Sequence, residues 1–107
     1  MGSAQAHDRK GPNGGRILDA GSFHVELVGK GSNVEVYITD QAGKPVATLD
    51  MKGIAILSVA GKSQRVELEQ AGDNKLSGAT AVAIPAAPKG VIQIKLPSGK
   101  TAQTKFN

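Results

Sequence analysis

Apolar and polar residues alternate along most of this chain, and short glycine-rich breaks interrupt the alternation at intervals. Phe23, Val25 and Leu27 fall on one side of an extended segment, with His24, Glu26 and Val28 on the other. A period of two residues marks a strand with one face in a core. The pattern returns over residues 33–40, where Val34, Val36 and Ile38 point inward and Glu35, Tyr37 and Thr39 outward. It returns again in Val66-Glu67-Leu68-Glu69, while Ile54 to Val59 is apolar on both faces, as in a central strand.

The breaks read Gly29-Lys30-Gly31-Ser32, Ala42-Gly43-Lys44-Pro45, Gly61-Lys62-Ser63, Gly72-Asp73-Asn74-Lys75, Pro88-Lys89-Gly90 and Pro97-Ser98-Gly99-Lys100. Turns at such spacing predict a small all-β domain. A short edge strand is expected over 16–20, and the segments 23–28 and 33–40 should pair antiparallel across the first break. Pro45 should open an edge strand through Leu49, since it has no N–H to donate. Leu76 leads into a strand over 79–84, with Val82 and Ile84 on one face and Ala79, Ala81 and Ala83 on the other. Residues 91–96 and 101–106 form the last hairpin. No stretch keeps a 3.6-residue period with capping residues, so little or no helix is expected. The architecture predicted is a single immunoglobulin-like antiparallel β-sandwich of eight or nine short strands over residues 16–107. Polar, glycine-rich residues 1–15 read as a flexible arm leading into it.

Composition sharpens this picture in three ways. Only Phe23, Tyr37 and Phe106 are aromatic, so Val, Ile, Leu and Ala must fill the core. Thirteen basic against nine acidic side chains give a net charge of +4, but the lysines are spread over the turns and form no stripe. Without a basic stripe or stacking aromatics, a nucleic acid partner is not expected. Cysteine is absent, which removes disulfides and thiolate chemistry. No apolar run approaches the roughly 18 residues of a membrane span. Met1-Gly2-Ser3 reads as an expression scar, and Ala4-Gln5-Ala6 matches the small-x-small pattern before a signal-peptidase cut. Together they point to a periplasmic or secreted bacterial protein.

Candidate chemistry is sparse. Gly61-Lys62-Ser63 and Gly99-Lys100-Thr101 imitate the end of a phosphate-binding loop, but Ile56 and Ile94 stand where its leading glycine is required, and both join strand to strand. His7 and His24 are the only histidines, and no nucleophile motif accompanies them, so catalysis is not expected. Alternation puts His24 and Glu26 on one non-core face, spaced for a shared metal ion, and His7 and Asp8 in the arm could complete the set. Zinc or copper would be the cation. Met51 is the one soft donor besides Met1. The simpler reading is an ordinary polar strand face.

Pro12-Asn13-Gly14-Gly15-Arg16, Gly21 and His24-Val25-Glu26-Leu27-Val28 resemble a small periplasmic β-domain, the accessory domain of adaptor subunits in heavy-metal efflux pumps. Val36-Tyr37-Ile38-Thr39-Asp40, Gly43-Lys44-Pro45-Val46 and Lys95-Leu96-Pro97-Ser98-Gly99-Lys100 resemble it too. The likeness spans about residues 12 to 106. It implies an exported β-sandwich, associated with metal handling. The chain departs from that pattern at Asn13, where the family often carries a histidine, and it lacks the methionine-rich clusters of copper carriers. The expected function is a non-enzymatic, monomeric module of the bacterial envelope that binds a protein or other envelope component. The alternative is a periplasmic metal-binding module.

Overall fold

The computed structural model describes residues 9–85 and 87–106. Among them are nine strands and no helix: β1 (Arg9–Lys10), β2 (Arg16–Ala20), β3 (Phe23–Lys30), β4 (Asn33–Thr39), β5 (Lys52–Val59), β6 (Lys62–Gly72), β7 (Lys75–Ala79), β8 (Lys89–Lys95) and β9 (Thr101–Phe106). All pair antiparallel, in the order β1-β2-β3-β4-β7-β6-β5-β8-β9.

The turns explain the pairing. Gly21 and Gly31 take φ of 65° and 58° at the first central position of two-residue hairpins, where an L side chain would be strained. Between β5 and β6 both central residues, Ala60 and Gly61, have positive φ (52° and 81°), the type I′ geometry that matches strand twist. Strand β6 is the long one. Its residues from Lys62 to Glu69 pair with β5, and those from Glu69 to Gly72 pair with β7 across a register shift between Gln70 and Gly72. One strand therefore carries the ladder from one half of the sheet into the other.

At the opposite side β2 approaches β9 with no hydrogen-bonded ladder between them, and the Arg16 guanidinium lies 5.7 Å from the Phe106 ring centre. The sheet is thus nearly closed around one aliphatic core. Val25, Leu27, Val34, Val36 and Ile38 meet Ala55, Leu57, Val66, Leu68, Ile92, Ile94 and Phe106 inside it. These are the inward residues of the alternation.

Two expected strands are absent. Residues 45–49 make only an isolated bridge, Thr39 to Pro45. The cause is Thr48, which is fully buried and turns its hydroxyl toward the carbonyls of Gly72 (2.9 Å), Lys75 (3.2 Å) and Asp73 (3.3 Å). Its own N–H donates to the Asp73 carbonyl at 2.9 Å, so the segment is pinned to the β6–β7 turn instead of a sheet edge. The strand expected through Ile84 stops at Ala79. Beyond it Thr80 and Ile84 donate their N–H groups to Ser32 and Gly31, wrapping the chain around the tip of the β3–β4 hairpin.

Candidate functional site

Two surfaces carry the candidate chemistry. The first is the outer face of β2, β3 and β4, where the sequence placed His24 and Glu26. Cross-strand register sets Ile17, Glu26 and Tyr37 in one row and Asp19, His24 and Thr39 in the next. Glu26 is not a solvated carboxylate. It is 4% exposed, and its Oε2 accepts the N–H groups of Asn13 and Gly15, each at 2.9 Å, while Oε1 accepts from Asn13 Nδ2 at 2.9 Å. Residues 11–15 form a turn, closed by hydrogen bonds from the Gly11 N–H to the Gly15 carbonyl and from the Gly14 N–H to the Gly11 carbonyl, that folds over this strand face. Gly11 packs against the Glu26 carboxylate. Both oxygens of Glu26 are thereby committed to backbone and amide donors, a structural task.

His24 is partly buried, with its side chain 14% exposed, and its Nε2 lies 3.1 Å from Asp19 Oδ1. The Gly21-Ser22 hairpin imposes this neighbour: Ala20 pairs with Phe23, so Asp19 stands opposite His24. Sequence reasoning missed Asp19, although the two-residue turn was a signal sufficient to find it. Asp40, close by, is held below its ordinary carboxyl value, first by the Lys44 N–H and, against the opposing cost of desolvation, by the Ala42 N–H and the charges of Lys44 and His24. No three His, Cys, Asp or Glu side chains converge among the described residues. His7 and Asp8 lie outside those residues. Met51 is buried in the core.

Further along the same face Glu35 accepts the Tyr37 hydroxyl at 3.0 Å and faces Lys75 Nζ at 3.4 Å and Lys30 Nζ at 3.6 Å. Lys75 also lies 5.7 Å from the centre of the Tyr37 ring. Desolvation pushes the Glu35 carboxyl up, but the Tyr37 hydrogen bond and the two lysines outweigh it and hold the group below its ordinary value. Desolvation, followed by the hydrogen bond to Glu35, pushes Tyr37 up.

The second surface is the outer face of β6, β5, β8 and β9. Its register rows are Glu69-Lys52-Lys95-Thr101, Glu67-Ile54-Gln93-Gln103 and Arg65-Ile56-Val91-Lys105. Ile56 is 38% exposed, and Ile54 and Val91 are half-buried on the same face. They form an apolar strip on a solvent-facing sheet. A depression of about 320 Å³ lies beside it, lined by Lys52, Ile54, Arg65, Glu67, Glu69, Gln93 and Lys95. Among the described strand residues of this face, Lys52, Arg65, Lys89, Lys95 and Lys105 stand around the strip with Glu67 and Glu69, so basic side chains outnumber acidic ones there.

No family model, curated protein or solved structure matches this chain. The two surfaces are therefore read from their own chemistry. Among the described residues no helix is long and apolar enough to cross a membrane.

Proposed function

We propose that this chain is a non-enzymatic, exported module of the bacterial envelope that binds a protein partner through the outer face of β6, β5, β8 and β9. One observation carries the reading. Ile54, Ile56 and Val91 form a contiguous apolar strip on a face whose charged rim is mainly cationic. An apolar centre within a charged rim is the anatomy of a protein interface. The complementary occupant is a protein segment that alternates acidic and aliphatic side chains. Export is supported by the resemblance of residues 12 to 106 to periplasmic adaptor domains.

The pairing pattern also supports an immunoglobulin-like sandwich. Strands β3-β4-β7-β6 follow the A-B-E-D order, and β5-β8-β9 the C-F-G order, of that topology. On that reading β6 crosses between the two sheets.

The test is a titration of the isotopically labelled protein with a synthetic peptide of alternating glutamate and leucine. Amide shifts confined to Ile54, Ile56, Val91 and their neighbours, weakened by salt and abolished by Ile56→Asp, are expected. Shifts scattered over the molecule, or none at millimolar peptide, would reject the interface.

A further inference from the structure

A cleft of about 190 Å³ opens on the outer face of β2, β3 and β4, between the turn of residues 11–15 and the loop of residues 40–45. It is smaller than the roughly 300–1,000 Å³ that a drug-sized molecule or cofactor occupies, so it fits a group the size of one side chain. Pro12, Ile17, Pro45 and the Tyr37 ring give it apolar walls. Both rims are set in advance. Glu26 holds the first turn through Asn13 and Gly15, and Asp40 closes the second by accepting the N–H groups of Ala42 (2.8 Å) and Lys44 (2.9 Å). A preformed cleft loses little binding energy to its own ordering.

The polar groups of the cleft are mostly of one kind. Asn13 Nδ2 donates to Glu26 Oε1 at 2.9 Å and Asn74 Nδ2 to the Ile38 carbonyl at 3.3 Å, which leaves the amide oxygen of each as an acceptor. Tyr37 gives its hydroxyl proton to Glu35. Glu26 lines the cleft with a carboxylate only 4% exposed. Its three donors are all uncharged, so they spread its negative charge without cancelling it. Behind desolvation and the bond and charge of Glu35, that charge helps to push Tyr37 up. Lys75 lies near the Tyr37 ring, but Glu35 meets its charge at 3.4 Å. Donors used up internally, with acceptors and a negative charge left over, select a cation rich in N–H groups.

We infer that this cleft receives the guanidinium of an arginine side chain carried by a peptide or protein. The planar group brings five donors for the Asn13 and Asn74 oxygens and the Thr39 hydroxyl, and it packs against an aromatic wall. Its aliphatic stem suits Pro12, Ile17 and Pro45. A lysine ammonium is a compact point charge that holds its water more strongly. The site is built on β2, β3 and β4 and does not depend on the reading of β5, β6 and β8 as a partner surface.

The isotopically labelled full chain, titrated with a blocked tripeptide that carries arginine between two glycines, tests the assignment. Companion peptides carry lysine or citrulline, the uncharged isostere of arginine, at the centre. The arginine peptide should shift the amides of Asn13, Tyr37, Thr39 and Asn74 at millimolar concentration. The citrulline peptide should bind about tenfold more weakly, the loss of one charge-assisted contact. Tyr37→Leu and Thr39→Val should each weaken the arginine peptide about threefold or more, with urea midpoints showing that the variants are folded. Ile56→Asp, on the other surface, should leave it unchanged. No shifts at Asn13 and Asn74, equal binding of the citrulline peptide, or full affinity in folded Tyr37→Leu and Thr39→Val would overturn the site. Equal binding of the lysine peptide would overturn the choice of guanidinium. Tighter binding of free arginine than of the peptide would overturn a peptide as its source.

Discussion

Glu26 grips Asn13 with both carboxylate oxygens, one on its backbone N–H and one on its side-chain amide, each at 2.9 Å. The third bond, from Gly15 N–H, is itself buried. A strand carboxylate thus sets the path of the chain between β1 and β2. Replacing it by an amide puts a donor where acceptors are needed. Glu26→Gln should cost about 1–3 kcal/mol, the usual penalty for buried donors left without partners. Urea denaturation measures the loss, and accelerated exchange of the Asn13 and Gly15 amides locates it. An unchanged midpoint would mean the turn does not depend on the carboxylate.

Thr48→Val should be costly for the opposite reason. The hydroxyl is the donor shared by carbonyls of Gly72, Asp73 and Lys75, and the residue has no solvent exposure. Valine keeps the shape and removes the donor, at about 1–3 kcal/mol. Thr48→Ser, which keeps it, should cost less in the same thermal melt. Equal losses would assign the effect to packing.

Ala60→Gly or Ala60→Asn should stabilise the protein. Ala60 holds a φ of 52°, a region that costs an L residue on the order of 1–2 kcal/mol. Asparagine followed by Gly61 is the preferred type I′ pair. A gain of about 0.5–1 kcal/mol in denaturation midpoint is expected, and a loss would contradict the turn geometry.

Acid should weaken the fold partly through Glu35. Its carboxyl is depressed below the ordinary value of 4.5, so its contribution is complete above that value. As pH falls from there through the lowered pKa, the contribution is lost. Glu35→Gln should therefore flatten the stability-against-pH curve below about pH 4.5. A curve of unchanged slope would assign acid sensitivity to other carboxylates.

Much of the sheet was legible because alternation and hairpin turns are local signals. Val25, Leu27, Val34, Val36 and Ile38 all lie inside, and Gly31-Ser32 turns the chain between them. The candidate chemistry was harder to read. Glu26 occupies a polar slot of the alternation and looks solvated, yet residues 11–15 fold over it. Nothing in a period of two residues reports what covers a strand's second face. Likewise Thr48 sits in a segment with strand-like residues, and the carbonyls that capture it lie 24 or more positions away. Ile56 was read as part of a strand buried on both sides, although one of its faces is open.

Glu69 has a ladder partner on each side, Lys52 in β5 and Ser77 in β7. Because one continuous backbone carries both ladders there, the two halves cannot part at β6 without tearing main-chain bonds, whereas no such bonds join them where β2 meets β9. Slow amide exchange in β3 and in β8 should follow a common global opening.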